Sequence, residues 1–380
     1  MERIIEFVNQ LIEASTPSRP AWNIEHKLED KPAKWNYIDG CMLKAVYDLY
    51  EAAGDEKYRE FVKGYIDFYV NDDGEILGYS QEDYNCDNIN MGKVLFPLHA
   101  HYGDEKYKKA IERLMAQLHS QPRISTGNFW HKQIYPNQVW LDGLYMVQPF
   151  YLAYESRFNG YKNYKDIFTQ FEHVHNIMRD RATGLYYHGY DESRSLFWAD
   201  KDTGLSPNFW SRSIGWFAMA LVDTLDYMDE QFFYEHEALQ GFLRELAVAI
   251  LPFAHVSKLL YQVTDKGNLD GNYLETSGSA AIAYALMKGA RRGHLPGYYF
   301  DEGKAIFDAI VAHKLILDDA GGFKLSDICL VAGLGGMPGK GDYKERDGSF
   351  AYYISEPKVD NDAKGVAPFL FAYAETIRRS

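Results

Sequence analysis

Apolar side chains recur along the whole chain at the three- and four-residue spacing of a helix face turned toward a core. In the first fourteen residues Ile4, Ile5, Val8, Leu11 and Ile12 alternate with Glu2, Arg3, Glu6, Asn9 and Glu13. That is an amphipathic helix, without the basic opening and long apolar run of a secretion signal. The same periodicity predicts helices over 38–53, 57–70, 90–101, 106–118, 142–156, 164–179, 210–228, 235–254, 275–289, 302–317 and 362–378. Strand-like alternation is scarce. Gly54-Asp55-Glu56-Lys57-Tyr58 is echoed by Gly103-Asp104-Glu105-Lys106-Tyr107. In each, the Gly stops one helix and the Asp caps the next.

Length alone suggests two domains, because single cores stop growing near ~250–300 residues. No linker interrupts the pattern, so the expectation is one domain over 1–380. Pairing consecutive helices gives about six hairpins with a period of roughly 50–70 residues, as a closed toroid of hairpins requires. The predicted fold is therefore all-α, an (α/α)6 barrel. In such a barrel the first helix of each pair faces inward and all six point the same way, so their N-termini converge on one mouth. The predicted starts carry Tyr37 and Asp39; Asp87 and Asn88; Gln138, Trp140 and Asp142; Asn208, Trp210 and Arg212; Tyr273 and Thr276; and Asp360, Asn361 and Asp362. Taken singly, each has a structural explanation, since Asp and Asn cap helices and Tyr fills cores. Their coincidence at six starts favours a site.

Composition narrows the chemistry. With 54 acidic against 40 basic residues the net charge is -14, which repels nucleic acid and anionic lipid surfaces. Aromatic residues make up 16% of the chain, 30 of them Tyr, which suits stacking against sugar rings. Cys41, Cys86 and Cys329 are far apart and form no CxxC pair, so neither a disulfide framework nor a zinc knuckle is expected. No window approaches the ~18 unbroken apolar residues of a membrane span. A cytoplasmic protein in a reducing compartment is the simplest expectation. His99 and His101, like His173 and His175, are two apart and point away from each other on a helix. No metal and no cofactor is expected. The glycine-rich run 333–341 lacks the Ser or Thr and the strand-then-helix context of a phosphate loop. It reads as a loop that covers the mouth.

The block Gln138-Val139-Trp140-Leu141-Asp142-Gly143-Leu144 resembles the unsaturated rhamnogalacturonyl hydrolases, glycoside hydrolase family 105, related to the unsaturated glucuronyl hydrolases. Further blocks match that family in order: Asp87-Asn88 with Gly92, His131-Lys132, Tyr187-His188-Gly189, Trp210 to Trp216, Glu275 to Ala280, Tyr352 to Pro357 and Asn361 to Val366. The likeness spans roughly residues 30–378, and the family's (α/α)6 barrel agrees with the hairpin count.

The resemblance implies hydration of a vinyl ether. The substrate would be a short oligosaccharide left by a polysaccharide lyase, with a C4=C5 double bond in its nonreducing uronic acid. Asp142 would protonate C4 as general acid, and its carboxylate would then take a proton from the water adding at C5. Such an acid needs a carboxyl raised by burial or by a like charge, and Asp87 is the neighbour to supply the charge. By the same resemblance Asp87 holds a sugar hydroxyl and helps orient the water.

Substrate contacts are expected from Arg212, whose planar fork suits a uronate carboxylate or a pair of hydroxyls. His188 and His131 would donate to hydroxyls or the carboxylate, and Trp210 and Trp216 would form a stacking wall. Tyr37 and Lys132 rest on weaker matches. The alternatives are an unsaturated glucuronyl hydrolase for another polysaccharide, a histidine-dependent epimerase on the same barrel, a lyase, or a sugar-binding protein without turnover. The aglycone sugar, chain-length preference and oligomeric state are not legible in the sequence.

Overall fold

A computed structural model of the chain describes residues 2–29, 32–336 and 345–379. Among them, six helical segments form an inner ring: Tyr37–Ala53, the run from Cys86 to Tyr102, Leu141–Tyr154, Ser211–Thr224, Thr276–Arg291 and Ala363–Arg379. Each packs on the next, and the last packs on the first, so the ring closes. Outside lie Glu2–Glu13, Glu56–Tyr69, Glu105–Ser120, Tyr164–Met178, Phe233–Ile250 and Tyr298–His313. This is the expected (α/α)6 barrel. The chain opens on an outer helix whose inner neighbour is the last one, with Phe7 set edge-on to Phe369 at 6.5 Å. The sixth hairpin therefore joins the two ends of the sequence.

The layers follow from the side chains. Every residue of Ser211–Thr224 is buried, whereas Glu105–Ser120 buries only the stripe Tyr107, Ala110, Ile111, Leu114, Met115, Gln117 and Leu118. A helix surrounded by neighbours is buried all round, and one at the rim only on its inner face. The two Gly-Asp signals do as predicted. Gly54 and Gly103 end helices in the left-handed conformation, and Asp55 and Asp104 accept the amides of Lys57 and Lys106.

The predicted helix 90–101 differs. It begins as a 3₁₀ run, Cys86–Val94, and becomes α-helical only from Leu95 to Tyr102. Pro97 has no N–H to return to the Lys93 carbonyl, but Pro149 and Pro368 lie inside inner helices that stay α-helical, so the proline alone does not account for the 3₁₀ start. Inner helices also approach very closely. A Cβ on Gly278 would lie 2.5 Å from Ser211 Oγ and 2.7 Å from its carbonyl carbon.

Among the described residues three two-stranded ribbons join the helix ends, of which Gln138–Trp140 with Gly189–Asp191 bears on the site. No helix among the described residues is long and apolar enough to cross a membrane. Of the loop expected over the mouth, residues 337–341 lie outside the described residues.

Candidate active site

The ribbon sets the geometry. Trp140 pairs with Gly189, and the Leu141 amide donates to the His188 carbonyl at 3.1 Å. The helix begins at once, so Asp142 stands in its first turn beside His188. His188 Nε2 lies 3.3 Å from Asp142 Oδ2, and His188 Nδ1 pairs with the Tyr353 hydroxyl at 2.8 Å.

Asp87 is brought to the same place by the 3₁₀ start. The Asn85 side chain accepts the Asp87 amide, and the Cys86 amide donates to the His131 carbonyl at 3.0 Å. Lys132 Nζ is then 2.6 Å from Asp87 Oδ2, and His131 Nε2 is 3.5 Å from Oδ1. His131 lies flat on Trp140 at 4.6 Å, and Tyr135 stacks on Trp140 at 5.0 Å.

These groups surround a cavity of about 200 Å³. Tyr37, Asp87, His131, Lys132, Asp142, Trp210, Arg212 and Trp216 all line it. His188 does not. It is fully buried and stands behind Asp142, placed to orient that carboxylate and not to touch a ligand. A second hollow of about 180 Å³ shares Glu25, Tyr37, Asp87 and Lys132 and adds Asn23, His26, Asn36, Asn85 and Asn88.

Arg212 is 2% exposed and already engaged. It donates to the Cys329 carbonyl, and at 3.4 Å to Ser277 Oγ and to the Leu330 carbonyl. Its guanidinium lies over Trp210 at 4.6 Å.

Not every predicted start reaches the mouth. Asp39 accepts from Trp22 Nε1 at 2.9 Å and from Asn23 at 3.2 Å. Asp362 is buried against Lys364, and Asn208 donates to the Gly348 carbonyl. Thr276 donates to the Ser326 carbonyl. These are structural partners. Glu25, Tyr135, Met146 and Arg346 line the cavity without having been singled out. Glu25 sits on a six-residue helix, Ile24–Glu29, and Arg346 follows the glycine-rich run, so neither lies in a periodic segment.

The electrostatics correct one expectation. Burial pushes the Asp142 carboxyl up, but the adjoining His188 imidazole, with charge from Arg212, outweighs it and leaves the group below the usual carboxylate range. Asp87 is not among the largest causes of the shift. Burial pulls His131 down to about 4, so that ring is neutral near pH 7. Tyr353 is held well above the ordinary phenol value by burial and by Asp142. It therefore keeps its proton and can donate to His188 Nδ1, which leaves the ring's N–H on Nε2, toward Asp142. Asp142 Oδ2 and His188 Nε2 face each other at 3.3 Å, while among the described residues His131 Nδ1 and Arg212 Nε are buried without a hydrogen-bond partner. Buried polar atoms are rarely left so, and His131 and Arg212 both line the cavity.

Comparison with known proteins places this arrangement. Residues 11–380 match the model of Glycosyl Hydrolase Family 88. A glycoside hydrolase from family 105 of C. acetobutylicum ATCC 824 is 40% identical, with 97% of this chain and 99% of that chain covered and a TM-score of 0.87. The unsaturated rhamnogalacturonyl hydrolase YesR of Bacillus subtilis (strain 168) is 28% identical over 286 residues, covering 73% of this chain and 76% of YesR. An unsaturated glucuronyl hydrolase from Bacillus sp. GL1 shares the fold at 15% identity, with coverage of 98% and 95% and a TM-score of 0.66.

Proposed function

The chain belongs to the glycoside hydrolases of family 88 and its relative family 105, and from that premise we propose that it removes the unsaturated uronic acid from the nonreducing end of lyase-generated rhamnogalacturonan oligosaccharides. The observation that carries this reading is the pairing of Asp142 and Asp87 across one small, cation-lined, aromatic-walled cavity. The rhamnogalacturonan preference is supported by the similarity to YesR.

In this mechanism protonated Asp142 delivers its proton to C4, leaving positive charge shared between C5 and the ring oxygen. Water adds at C5 and returns a proton to Asp142. The C5 hemiketal opens to a ketone, and the hemiacetal at C1 collapses to an aldehyde, releasing the next sugar and a 4-deoxy-5-keto uronate. One water is consumed, and Asp142 ends as it began.

The low resting position of Asp142 requires the substrate to help. A bound uronate brings a like charge and displaces water, and both raise a neighbouring carboxyl. His188, anchored on Tyr353, holds the carboxylate in place, while Asp87, fixed by Lys132, meets the sugar hydroxyls and the water. Tyr37, Trp210 and Trp216 supply walls, with His131 and Arg212 as polar sides. An epimerase using histidines fits less well, because His188 does not reach the cavity and burial depresses His131.

The test is an unsaturated galacturonyl-rhamnose disaccharide followed by the ultraviolet absorbance of its conjugated double bond. Loss of absorbance with release of rhamnose, and in deuterated water a deuterium at C4, is the expected result. A flat trace with this substrate but turnover of an unsaturated glucuronyl disaccharide would move the specificity. A flat trace with both would overturn the hydration reading.

A further inference from the structure

We propose that Arg346 recognises the carboxylate of the unsaturated sugar and thereby makes the enzyme selective for a charged ring; this rests on the uronyl reading of the cavity. Among the described residues, three permanent cations line that cavity: Lys132, Arg212 and Arg346. Lys132 is paired with Asp87 at 2.6 Å. Arg212, expected from sequence to bind the carboxylate, is buried and held by the carbonyls of Cys329 and Leu330 and by Ser277. Its role becomes that of a brace behind the segment leading to Val331, Ala332 and Gly333, which form one wall of the cavity.

Arg346 differs from both. It is half-buried, and among the described residues its guanidinium has neither a carboxylate partner nor a hydrogen-bond acceptor. Its backbone is fixed, since Arg346 and Gly335 exchange amide-to-carbonyl bonds of 2.8 and 3.3 Å. The side chain lies across Gly333. A Cβ there would be 2.9 Å from Arg346 Nη1 and 3.5 Å from Trp140 Cη2, so absence of a side chain makes room for the guanidinium beside the indole. The Tyr352 hydroxyl holds the Gly333 carbonyl at 2.8 Å.

A planar fork whose donors meet no acceptor among the described residues, set on a backbone bridge at the wall of a cavity, is matched to a carboxylate. In the substrate that carboxylate is attached to C5, the carbon that water attacks. Arg346 therefore serves to bind the ring and to fix the reacting carbon relative to Asp142.

The experiment compares the disaccharide as free acid and as its C6 methyl ester, with kcat and KM measured for each. The wild-type protein should prefer the acid by about 10- to 100-fold in kcat/KM, the value of a charge-assisted bidentate contact. R346Q should lose most of that preference, by falling on the acid and hardly changing on the ester, and R346K should recover part of it. G333A, which displaces the guanidinium, should shift the ratio the same way. An R346Q protein that keeps the wild-type acid-to-ester ratio, or that falls equally on both substrates, would overturn the assignment. Failure of the wild-type protein to turn over either substrate would defeat the uronyl reading first, and the inference with it.

Discussion

At the C-terminal ends of the inner helices, Lys288 Nζ lies 2.7 Å from Asp223 and 2.5 Å from Asp226. There Arg378 grips Asp48 through both carboxylate oxygens at 2.9 Å, and Glu375 is shared by Arg291 and Arg378. At the N-terminal ends stand Asp87, Lys132, Asp142 and Arg212. Both ends bury charge, yet the space beside Lys288 is only about 30 Å³, room for little more than a water, against about 200 Å³ at the mouth. The charges of the far end are mostly satisfied by one another, although among the described residues Lys93, beside that small space, hydrogen-bonds only to the Tyr145 carbonyl. At the mouth Asp142 Oδ2 stands 3.3 Å from His188 Nε2, and among the described residues His131 Nδ1 has no hydrogen-bond partner. Buried charge by itself marks no active site; buried charge beside a cavity with room for a ligand does.

Breaking each end should give opposite signatures. Asp142→Asn should abolish turnover by about 10²- to 10⁴-fold or more, since an amide delivers no proton, while the thermal midpoint stays near wild type. Retained activity in the absorbance assay would remove Asp142 from the acid role. At the far end, Asp223→Asn removes one of the two carboxylates on Lys288 and, since Asp226 remains, should destabilise the fold by about 1.5–3 kcal/mol. Urea titration measures that loss, and kcat per folded molecule should be unchanged.

Titration sharpens the contrast. Burial lowers His131 to about 4 from a usual 6.5, so between these values the unfolded chain binds the proton that the folded one refuses. Stability tied to His131 is fully present above pH 6.5 and falls as pH drops toward 4, by about 3 kcal/mol over the window. Lys93, at the other end, is lowered by burial to about 7 from 10.5. Its penalty stands in full below pH 7 and disappears as pH rises to 10.5. Denaturation curves against pH should lose slope on the acid side in His131→Asn and on the alkaline side in Lys93→Met. The smallest expected effect is Gly278→Ala, where a Cβ meets the Ser211 backbone. Overpacking of this kind should cost about 1–3 kcal/mol, read as a lowered midpoint.

Much of this was legible in the sequence because the outer helices carry a one-sided apolar stripe and the Gly-Asp pairs punctuate it. The misjudged segment was the start at Cys86, where apolar spacing does not tell a 3₁₀ run from an α-helix. In the site, all the residues given catalytic or substrate-contact roles but His188 reach the cavity, whereas the helix starts Asp39, Asn208, Thr276 and Asp362 do not. Asp39 and Asp142 look alike as acidic residues in the first turn of a helix, and it is Trp22, Asn23 and the cap residue Asn36 that make one of them structural. The depressed carboxyl of Asp142 depends on His188, brought across from another stretch of chain by a three-residue ribbon. Arg346 could not be read because its meaning lies in what the other two cations are already bound to.

The closure of the ring through its first and last helices governs when the protein can exist at all. The Ala363 amide donates to the Trp22 carbonyl at 2.9 Å, Lys364 reaches Glu25 at 2.6 Å, and Phe7 rests on Phe369. A ribosome making this chain must therefore release Ala363–Arg379 before the opening helices find their partner, and the apolar flanks of Tyr37–Ala53 and Thr276–Arg291 wait uncovered until then. Contacts so distant in sequence form late and slowly. Synthesis interrupted before the last helix leaves an open arc with an exposed apolar seam, a natural target for chaperones and proteases.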